Sequence, residues 1–181
     1  MHLSTIYESP IGPLILACDE EGKNLIGLWS ETQKYQATEL LEAATPTDEA
    51  PVFVLTKAWL DRYFAGEKPE ITELPLTPIG GEFRQHVWAL LQEIPYGGLT
   101  TYGEIAKEVA AKMGKEKMSA QAVGGAVGHN PISIIIPCHR VVGASGSLTG
   151  YGGGMPMKIK LLKHEGVNLS ELTVPTKGTA L

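Results

Sequence analysis

Three adjacent side chains with reactive potential lie in the stretch IIIPCHRVV, residues 134–142: Cys138, His139 and Arg140. A free cysteine has a pKa of about 8.5 and is mostly protonated at neutral pH, so a nucleophilic cysteine needs a base or a positive field beside it. Neighbouring residues of extended backbone point to opposite faces. His139 therefore reaches the sulfur only through a turn, which Pro137 helps to supply, or through a bridging water. From these residues alone, a catalytic thiol and a buried structural cysteine both remain open.

The segments upstream of the thiol must position it. The β-branched run at 134–136 predicts a buried strand that ends at Pro137. Before it, Thr101 and Glu104 form a capping-box pattern that predicts a helix to about Met113, and Gly114 stops that helix. Ser119 caps a second short helix in AQAVGGAVGHN, which Pro131 ends. Two short helices joined by a brief turn indicate a helix-turn-helix.

The second of these helices carries almost no side-chain bulk. Its small residues are Ala120, Ala122, Gly124, Gly125, Ala126 and Gly128. Glycine inside a helix costs about 1 kcal/mol relative to alanine, so three glycines need a reason. Close packing on a neighbouring helix is one reason. Close approach of the backbone to a ligand such as a nucleic acid strand is the other.

Elements on either side of residues 73–83, a segment rich in proline and glycine, differ in pattern. Before it, an apolar run at 13–18, a polar turn and a second run at 25–29 predict a β-hairpin, and helical patterns follow at about 33–44 and 52–65. After it, one apolar stripe predicts a further helix; its residues are Phe83, Val87, Leu90, Leu91 and Ile94. We expect an α+β protein with domains at 1–78 and 79–181.

Composition excludes several classes of protein. With 181 residues, 43% of them hydrophobic, and no run of about 18 apolar residues, the chain is expected to be a reduced, cytoplasmic protein without a membrane partner. Its cysteines, Cys18 and Cys138, are too few for a disulfide framework, and Cys18 fits a core position. No metal site is predicted, because the remaining histidines show no ligand spacing: His2, His86, His129 and His164.

Charge is divided unevenly along the chain. The net charge is −5, but residues 1–78 hold 5 basic and 13 acidic side chains and residues 79–181 hold 10 and 7. An acidic half beside a mildly basic one is compatible with a C-terminal face that binds a polyanion. Ordinary variation of charge along a chain explains the same numbers, so this pointer is weak.

Several separate motifs at compatible spacings carry a family resemblance. PCHRV, preceded by AVGGAVGHNPISIII and followed by GSLTGYGGG and KIKLLKHEG, closely resembles the O6-alkylguanine-DNA alkyltransferases over residues 80–170, and SPIGPLILA and WLDRYFAG extend the likeness more loosely to the N-terminal half. The resemblance implies a ribonuclease-H-like α/β domain without catalytic duty, then a mainly helical domain with a helix-turn-helix and a wing-like loop. It implies direct, single-turnover DNA repair with no cofactor, by a protein that we expect to be monomeric.

The resemblance also implies roles for individual residues. Cys138 accepts the alkyl group, His139 takes the thiol proton through a water, and Glu165 orients that histidine. Asn130 links the glycine-rich helix to the active-site strand, and Tyr102 donates to a ring nitrogen of the leaving guanine. The remaining implied residues contact substrate or DNA: Gln121, Ala122, Gly124, Gly125, Arg140, Tyr151, Gly152 and Lys158.

One position departs from the family pattern. Relatives commonly have an arginine where this chain has Gln121, and that arginine fills the gap left by the flipped nucleotide. Gln121 can hydrogen-bond to the orphaned base but is shorter and uncharged. The resemblance leaves O4-alkylthymine open as a second substrate. A lesion sensor that binds alkylated DNA without repairing it, and a thiol hydrolase, are the competing functions.

Overall fold

The computed structural model describes residues 1–33, 37–148 and 154–173, which form two compact units. The first contains Met1–Ile79 together with Pro131–Ile135. The second contains the described residues of 80–130 and 136–181. The second unit thus begins one residue after the start expected at residue 79. Residues 131–135, which lie in the C-terminal half of the sequence, belong to the first unit.

A four-stranded sheet with the order β3-β2-β1-β4 organises the first unit. The antiparallel strands are β1 (Leu3–Ser9), β2 (Gly12–Cys18) and β3 (Leu25–Ser30), and the short β4 (Thr45–Pro46) runs parallel to β1. The predicted hairpin is β2 and β3. Strand β1 was not predicted from the sequence, although it pairs with β2 over its whole length.

Two helices accompany this sheet: α1 (Thr38–Ala43) and α2 (Pro51–Phe64). Helix α2 begins with Pro51, which fits the first helical turn because the amide that proline lacks has no partner there. It buries one apolar face, whose members include Val52, Phe53, Trp59, Leu60 and Tyr63. Cys18 is fully buried at the end of β2, the core position expected for it.

The apolar run before the thiol is buried, as predicted, but it is not a strand. Ile134, Ile135 and Ile136 are at most 1% exposed, yet their backbone forms turns, and Ile134 has a φ of 70°. Their peptide groups bond locally: the amide of Ile135 donates to the carbonyl of Ser133 at 2.8 Å. Burial is set by side-chain chemistry, whereas strand formation needs a partner for each peptide group.

The described residues of the second unit form four α-helices and a short parallel strand pair. The helices are α3 (Glu82–Leu91), α4 (Tyr102–Lys112), α5 (Ala120–Gly128) and α6 (Met155–His164), and the strands are β5 (Thr100–Thr101) and β6 (Val141–Val142). Helices α3, α4 and α5 pack on one another, and α4 and α5 form the predicted helix-turn-helix pair. Among the described residues, no helix combines the length and the apolar character needed to cross a membrane.

Local hydrogen bonds explain where α4 and α5 begin. The hydroxyl of Thr101 accepts from the amide of Glu104 at 3.1 Å, and the hydroxyl of Ser119 accepts from the amides of Gln121 and Ala122. The reciprocal half of the expected capping box is replaced by another contact, because the Glu104 carboxylate accepts from the hydroxyl of Thr100. Both predicted helix starts are correct.

Candidate active site

Cys138, His139 and Arg140 form one turn of 3₁₀ helix directly after Pro137. A 3₁₀ helix has three residues per turn, so successive side chains point about 120° apart instead of to opposite faces. The turn that the sequence analysis required for His139 to approach the sulfur is therefore present. All three side chains are buried, with Cys138 only 3% exposed.

The Cys138 thiol is protonated at neutral pH. Burial raises its pKa to about 11, although a hydrogen bond with the Asn130 side chain and the charge of Lys158 act in the opposite direction. With that pKa, only about one molecule in ten thousand carries a thiolate at pH 7. A reaction at this sulfur therefore requires a base that removes the proton during the attack.

His139 is the candidate for that base. Its Nε2 lies 2.6 Å from Oε2 of Glu165, and both side chains are fully buried. Burial raises the pKa of Glu165, but hydrogen bonds and charges from His139 and Arg140 outweigh it and hold that pKa well below its usual range. Because the carboxylate is ionised, Nε2 carries the proton and Nδ1 carries the lone pair, a tautomer assigned from this hydrogen bond.

The remaining ring nitrogen is ready to accept a proton. Within the described part of the chain, Nδ1 of His139 is buried and has no hydrogen-bond partner. Burial lowers the pKa of His139 from its ordinary value, so the ring is neutral at rest. The carboxylate, imidazole and thiol thus provide the components of an activated nucleophile.

Two further side chains connect this turn to neighbouring helices. Asn130, just beyond α5, donates from Nδ2 to the carbonyl of Ile136 at 2.8 Å, which ties the end of the glycine-rich helix to the segment that leads into the thiol. Lys158 of α6 is fully buried, and its Nζ donates to the carbonyl of Val141 at 2.5 Å. Burial lowers the pKa of Lys158 to about 8, and the nearby Cys138 partly counteracts this.

Arg140 is not where the sequence analysis placed it. It was assigned to the substrate- and DNA-contacting set, but it is only 6% exposed. Its guanidinium is bound inside the second unit, where it forms a buried ion pair with Glu165. A guanidinium held by a buried carboxylate is not free to contact phosphate, so the structure does not support a DNA contact for Arg140.

The exposed face of α5 is bare, meaning that it has little side-chain bulk, and helix packing does not explain this at Gly125. Gln121, Ala122 and Gly125 are exposed, and a methyl group added at Gly125 would meet nothing within 4 Å. A methyl group added at Gly124 would make only an ordinary 3.9 Å contact with the ring of Tyr102, which begins α4 and is 9% exposed. Of the two explanations for these glycines, contact with a neighbouring helix does not account for Gly125.

Two expected pocket residues, Tyr151 and Gly152, lie outside the described residues. In the ranges that are described, no group of three or more metal-ligating side chains comes together.

The loop that follows α3 contacts the site, and this role was not predicted from the sequence. The Ile94 carbonyl accepts from Arg140, the Gly97 amide lies 3.4 Å from Oε1 of Glu165, and the Tyr96 hydroxyl donates to the carbonyl of His164. These contacts join residues far apart in the chain, and most use backbone atoms. The pattern PYGG at residues 95–98 predicts a turn, and it is the one feature of the sequence that indicates this loop.

The site combines a protonated thiol, a neutral imidazole and an ionised carboxylate, and it lies in the same unit as a helix-turn-helix. These features define a class of thiol-dependent protein in which the exposed face of α5 suits contact with a large ligand. Comparison with known proteins narrows this class. Residues 82–167 match the profile described as 6-O-methylguanine DNA methyltransferase, DNA binding domain, and residues 3–78 match the ribonuclease-like domain of the same description. The chain belongs to the 6-O-methylguanine DNA methyltransferase family.

Relatives and solved structures agree with this membership. The chain is 45% identical over 161 residues to the methylated-DNA–protein-cysteine methyltransferase of Methanosarcina acetivorans, covering 89% of this chain and 96% of the relative. It is similar to the crystal structure of the Mycobacterium tuberculosis O6-methylguanine methyltransferase, with a TM-score of 0.77, 44% identity and coverage of 91% and 93%. It also resembles M. tuberculosis OGT in complex with DNA, with a TM-score of 0.76, 42% identity and coverage of 93% and 94%.

Proposed function

We propose that this protein repairs DNA by transferring the alkyl group of O6-alkylguanine directly to Cys138, one group per molecule. The Methanosarcina acetivorans relative is a methylated-DNA–protein-cysteine methyltransferase, and the chain belongs to the same family. The observation that carries the assignment of the acceptor is the Glu165–His139 hydrogen bond, which leaves Nδ1 of a neutral imidazole available in the same turn as the thiol.

The reaction is a single displacement. Nδ1 of His139 takes the proton of the Cys138 thiol, directly or through a water, and the sulfur attacks the alkyl carbon. The bond from that carbon to the guanine oxygen breaks, and its electron pair stays with the guanine. Tyr102 donates a hydrogen bond to a ring nitrogen of the leaving base, where negative charge develops. The guanine anion takes up a proton in place of the one that His139 received and then releases, so the products are guanine and a thioether. Because a thioether is not cleaved under cellular conditions, the protein is consumed.

DNA binding follows from the geometry that this reaction needs. The alkylated oxygen of a stacked base cannot reach a buried sulfur, so the nucleotide must leave the duplex at a cost of a few kcal/mol. The bare face of α5, formed by Ala122, Gly124 and Gly125, lets the duplex approach closely, and Gln121 beside it fills the gap. Binding should be largely independent of sequence and weakened by salt, since it depends on phosphate contacts.

The two units have different duties in this proposal. Residues 79–181 form the DNA-binding and active-site domain, and residues 1–78 form the ribonuclease-like domain, which supplies no catalytic group. The reaction also requires a thiol that stays reduced, so we place the protein in the cytoplasm.

A mass measurement tests the proposal. Protein is incubated with duplex containing O6-methylguanine, digested, and the mass of the peptide with Cys138 is determined, with Cys138→Ser as the matched control. We expect a gain of one methyl group per chain at Cys138, unmodified guanine in the DNA, and no gain in the control. Binding without mass gain would identify a lesion sensor, and repeated turnover would identify a hydrolase; either result would overturn the proposal.

A further inference from the structure

The guanidinium of Arg140 engages three of the groups that surround the relay. Its Nε donates to Oε1 of Glu165 at 2.7 Å and one terminal nitrogen donates to Oε2 at 3.1 Å, so the carboxylate is held by a two-pronged contact. The other terminal nitrogen donates to the carbonyl of Ile94 at 2.6 Å. The ring of Tyr96 lies against the guanidinium, 5.8 Å from its centroid to the central carbon.

The Glu165 carboxylate needs this contact to serve His139. Glu165 caps the C-terminus of α6, and a single hydrogen bond from a histidine leaves a carboxylate free to rotate about its own axis. Two parallel N–H donors fix the plane of the carboxylate, a geometry that the planar fork of arginine supplies and a lysine ammonium does not. With its plane fixed, Oε2 stays directed at Nε2 of His139, 2.6 Å away.

Burying an arginine is costly unless its charge and its donors are matched, so a buried arginine with three internal hydrogen bonds calls for a function. A stability role alone would be satisfied by apolar residues of similar volume. Here the arginine shares one carboxylate oxygen with the proposed base of the reaction.

We propose that Arg140 is a positioning residue for alkyl transfer: it fixes the Glu165 carboxylate toward His139 and keeps that histidine a neutral proton acceptor. This inference rests on the proposed function of the site. The loop at 94–97 completes the arrangement, because the Ile94 carbonyl anchors the guanidinium and the Gly97 amide approaches the same carboxylate.

The charges around His139 predict the direction in which its pKa should change when Arg140 is replaced. Burial is the main cause that lowers the pKa of His139, Glu165 raises it, and the positive charges of Arg140 and Lys158 lower it further. The charged and titratable groups around His139 are thus Cys138 and Arg140 in its own turn and Lys158 and Glu165 of α6, with Tyr96 beyond Arg140. Removing the guanidinium charge removes one of the two positive charges that lower the pKa of His139, so that pKa should rise.

The test compares Arg140→Gln, which removes the charge, with Arg140→Lys, which keeps the charge and loses the fork. The single-turnover rate of benzyl transfer from free O6-benzylguanine is measured from pH 5 to pH 9 for both variants and the unmodified protein. The rate falls at low pH where His139 becomes protonated. We expect this acid limb to move up by about one pH unit in Arg140→Gln and to stay in place in Arg140→Lys, with the plateau rate about tenfold lower in both.

An acid limb at the same pH in all three proteins would overturn the proposal, because a purely structural role lowers the rate without moving the limb. Should Arg140→Gln not fold, ¹⁵N NMR of the unmodified protein decides the matter. The ring of His139, assigned by loss of its signals in His139→Gln, should be neutral with its proton on Nε2 at pH 6.5, and protonation there would refute the inference. This titration needs no substrate, so its failure is distinct from failure of the repair assignment.

Discussion

Gly125→Ala should stabilise the protein and impair its reaction with DNA. Gly125 is inside α5, where alanine is favoured over glycine by about 1 kcal/mol. A methyl group added there meets no protein atom within 4 Å, so the folded state can accept it without rearrangement. For a protein of about 180 residues, that free energy corresponds to a rise in Tm of about 2–4 °C.

The effect on DNA should have the opposite sign. Gly125 lies three residues after Ala122 and four residues after Gln121 on α5, so it shares an exposed face with each of them. If this face meets the duplex directly, the added methyl group overpacks the contact at a cost of about 1–3 kcal/mol, which is roughly a 5- to 150-fold loss of affinity. Transfer from free O6-benzylguanine, which needs no duplex, should be unchanged.

The assay combines thermal unfolding, the single-turnover rate on an O6-methylguanine duplex and the rate on the free base. Ala111→Gly is the matched control: it makes the reverse exchange at an exposed position of α4, so Tm should fall while both rates stay the same. A Gly125→Ala protein with raised Tm and an undiminished duplex rate would show that the bare face of α5 does not serve DNA.

Four further predictions address the thiol, the buried lysine and the exposed lysines. Cys138→Ser should abolish transfer and change duplex affinity less than twofold by fluorescence anisotropy; a large loss of affinity would contradict the separation of binding from chemistry. Lys158→Met removes a charge that lowers the pKa of the thiol, so the transfer rate at pH 8 should fall about tenfold. Because the pKa of Lys158 is lowered from 10.5 to about 8, the unfolded chain binds the extra proton between these values, and this group contributes stability as pH rises. The free energy of unfolding at pH 10 minus that at pH 8 should therefore be larger in the unmodified protein than in Lys158→Met. Lys115 and Lys117 are exposed in the turn before α5, and changing both to glutamine should reduce the slope of log affinity against log salt by about 0.9 for each phosphate that the protein no longer neutralises; an unchanged slope would exclude them from the interface.

Local signals explain why much of the helical half was predictable. The starts of α4 and α5 follow from hydroxyl caps at Thr101 and Ser119, which act within three residues of their own position. Gly114, with a φ of 66°, ends α4 in a conformation that suits glycine. The burial of residues 134–136 was equally readable, because it depends on side-chain type alone.

The parts that sequence reasoning did not reach depend on contacts between distant residues. Arg140 pairs with Glu165, 25 positions away, and with the carbonyl of Ile94, 46 positions away, and no local pattern distinguishes such an arginine from one that binds phosphate. The two explanations for Gly125 also could not be separated without knowing what surrounds its Cα. The expectation of a strand at 134–136 was wrong because the backbone turns there: the Ile135 amide donates to the Ser133 carbonyl, and the Ile136 carbonyl accepts from the Cys138 amide and the Asn130 side chain.

The protonated state of Cys138 bears on how long each molecule remains usable. Peroxides and small electrophiles attack thiolates far more readily than thiols, and an exposed, ionised sulfur would soon be lost to such bystanders. A sulfur kept neutral inside the protein reacts with them only slowly, until the extruded base of the proposed reaction is bound and the imidazole accepts the proton. Because each molecule reacts only once, low reactivity of the thiol before it meets a lesion matters as much as the rate of alkyl transfer.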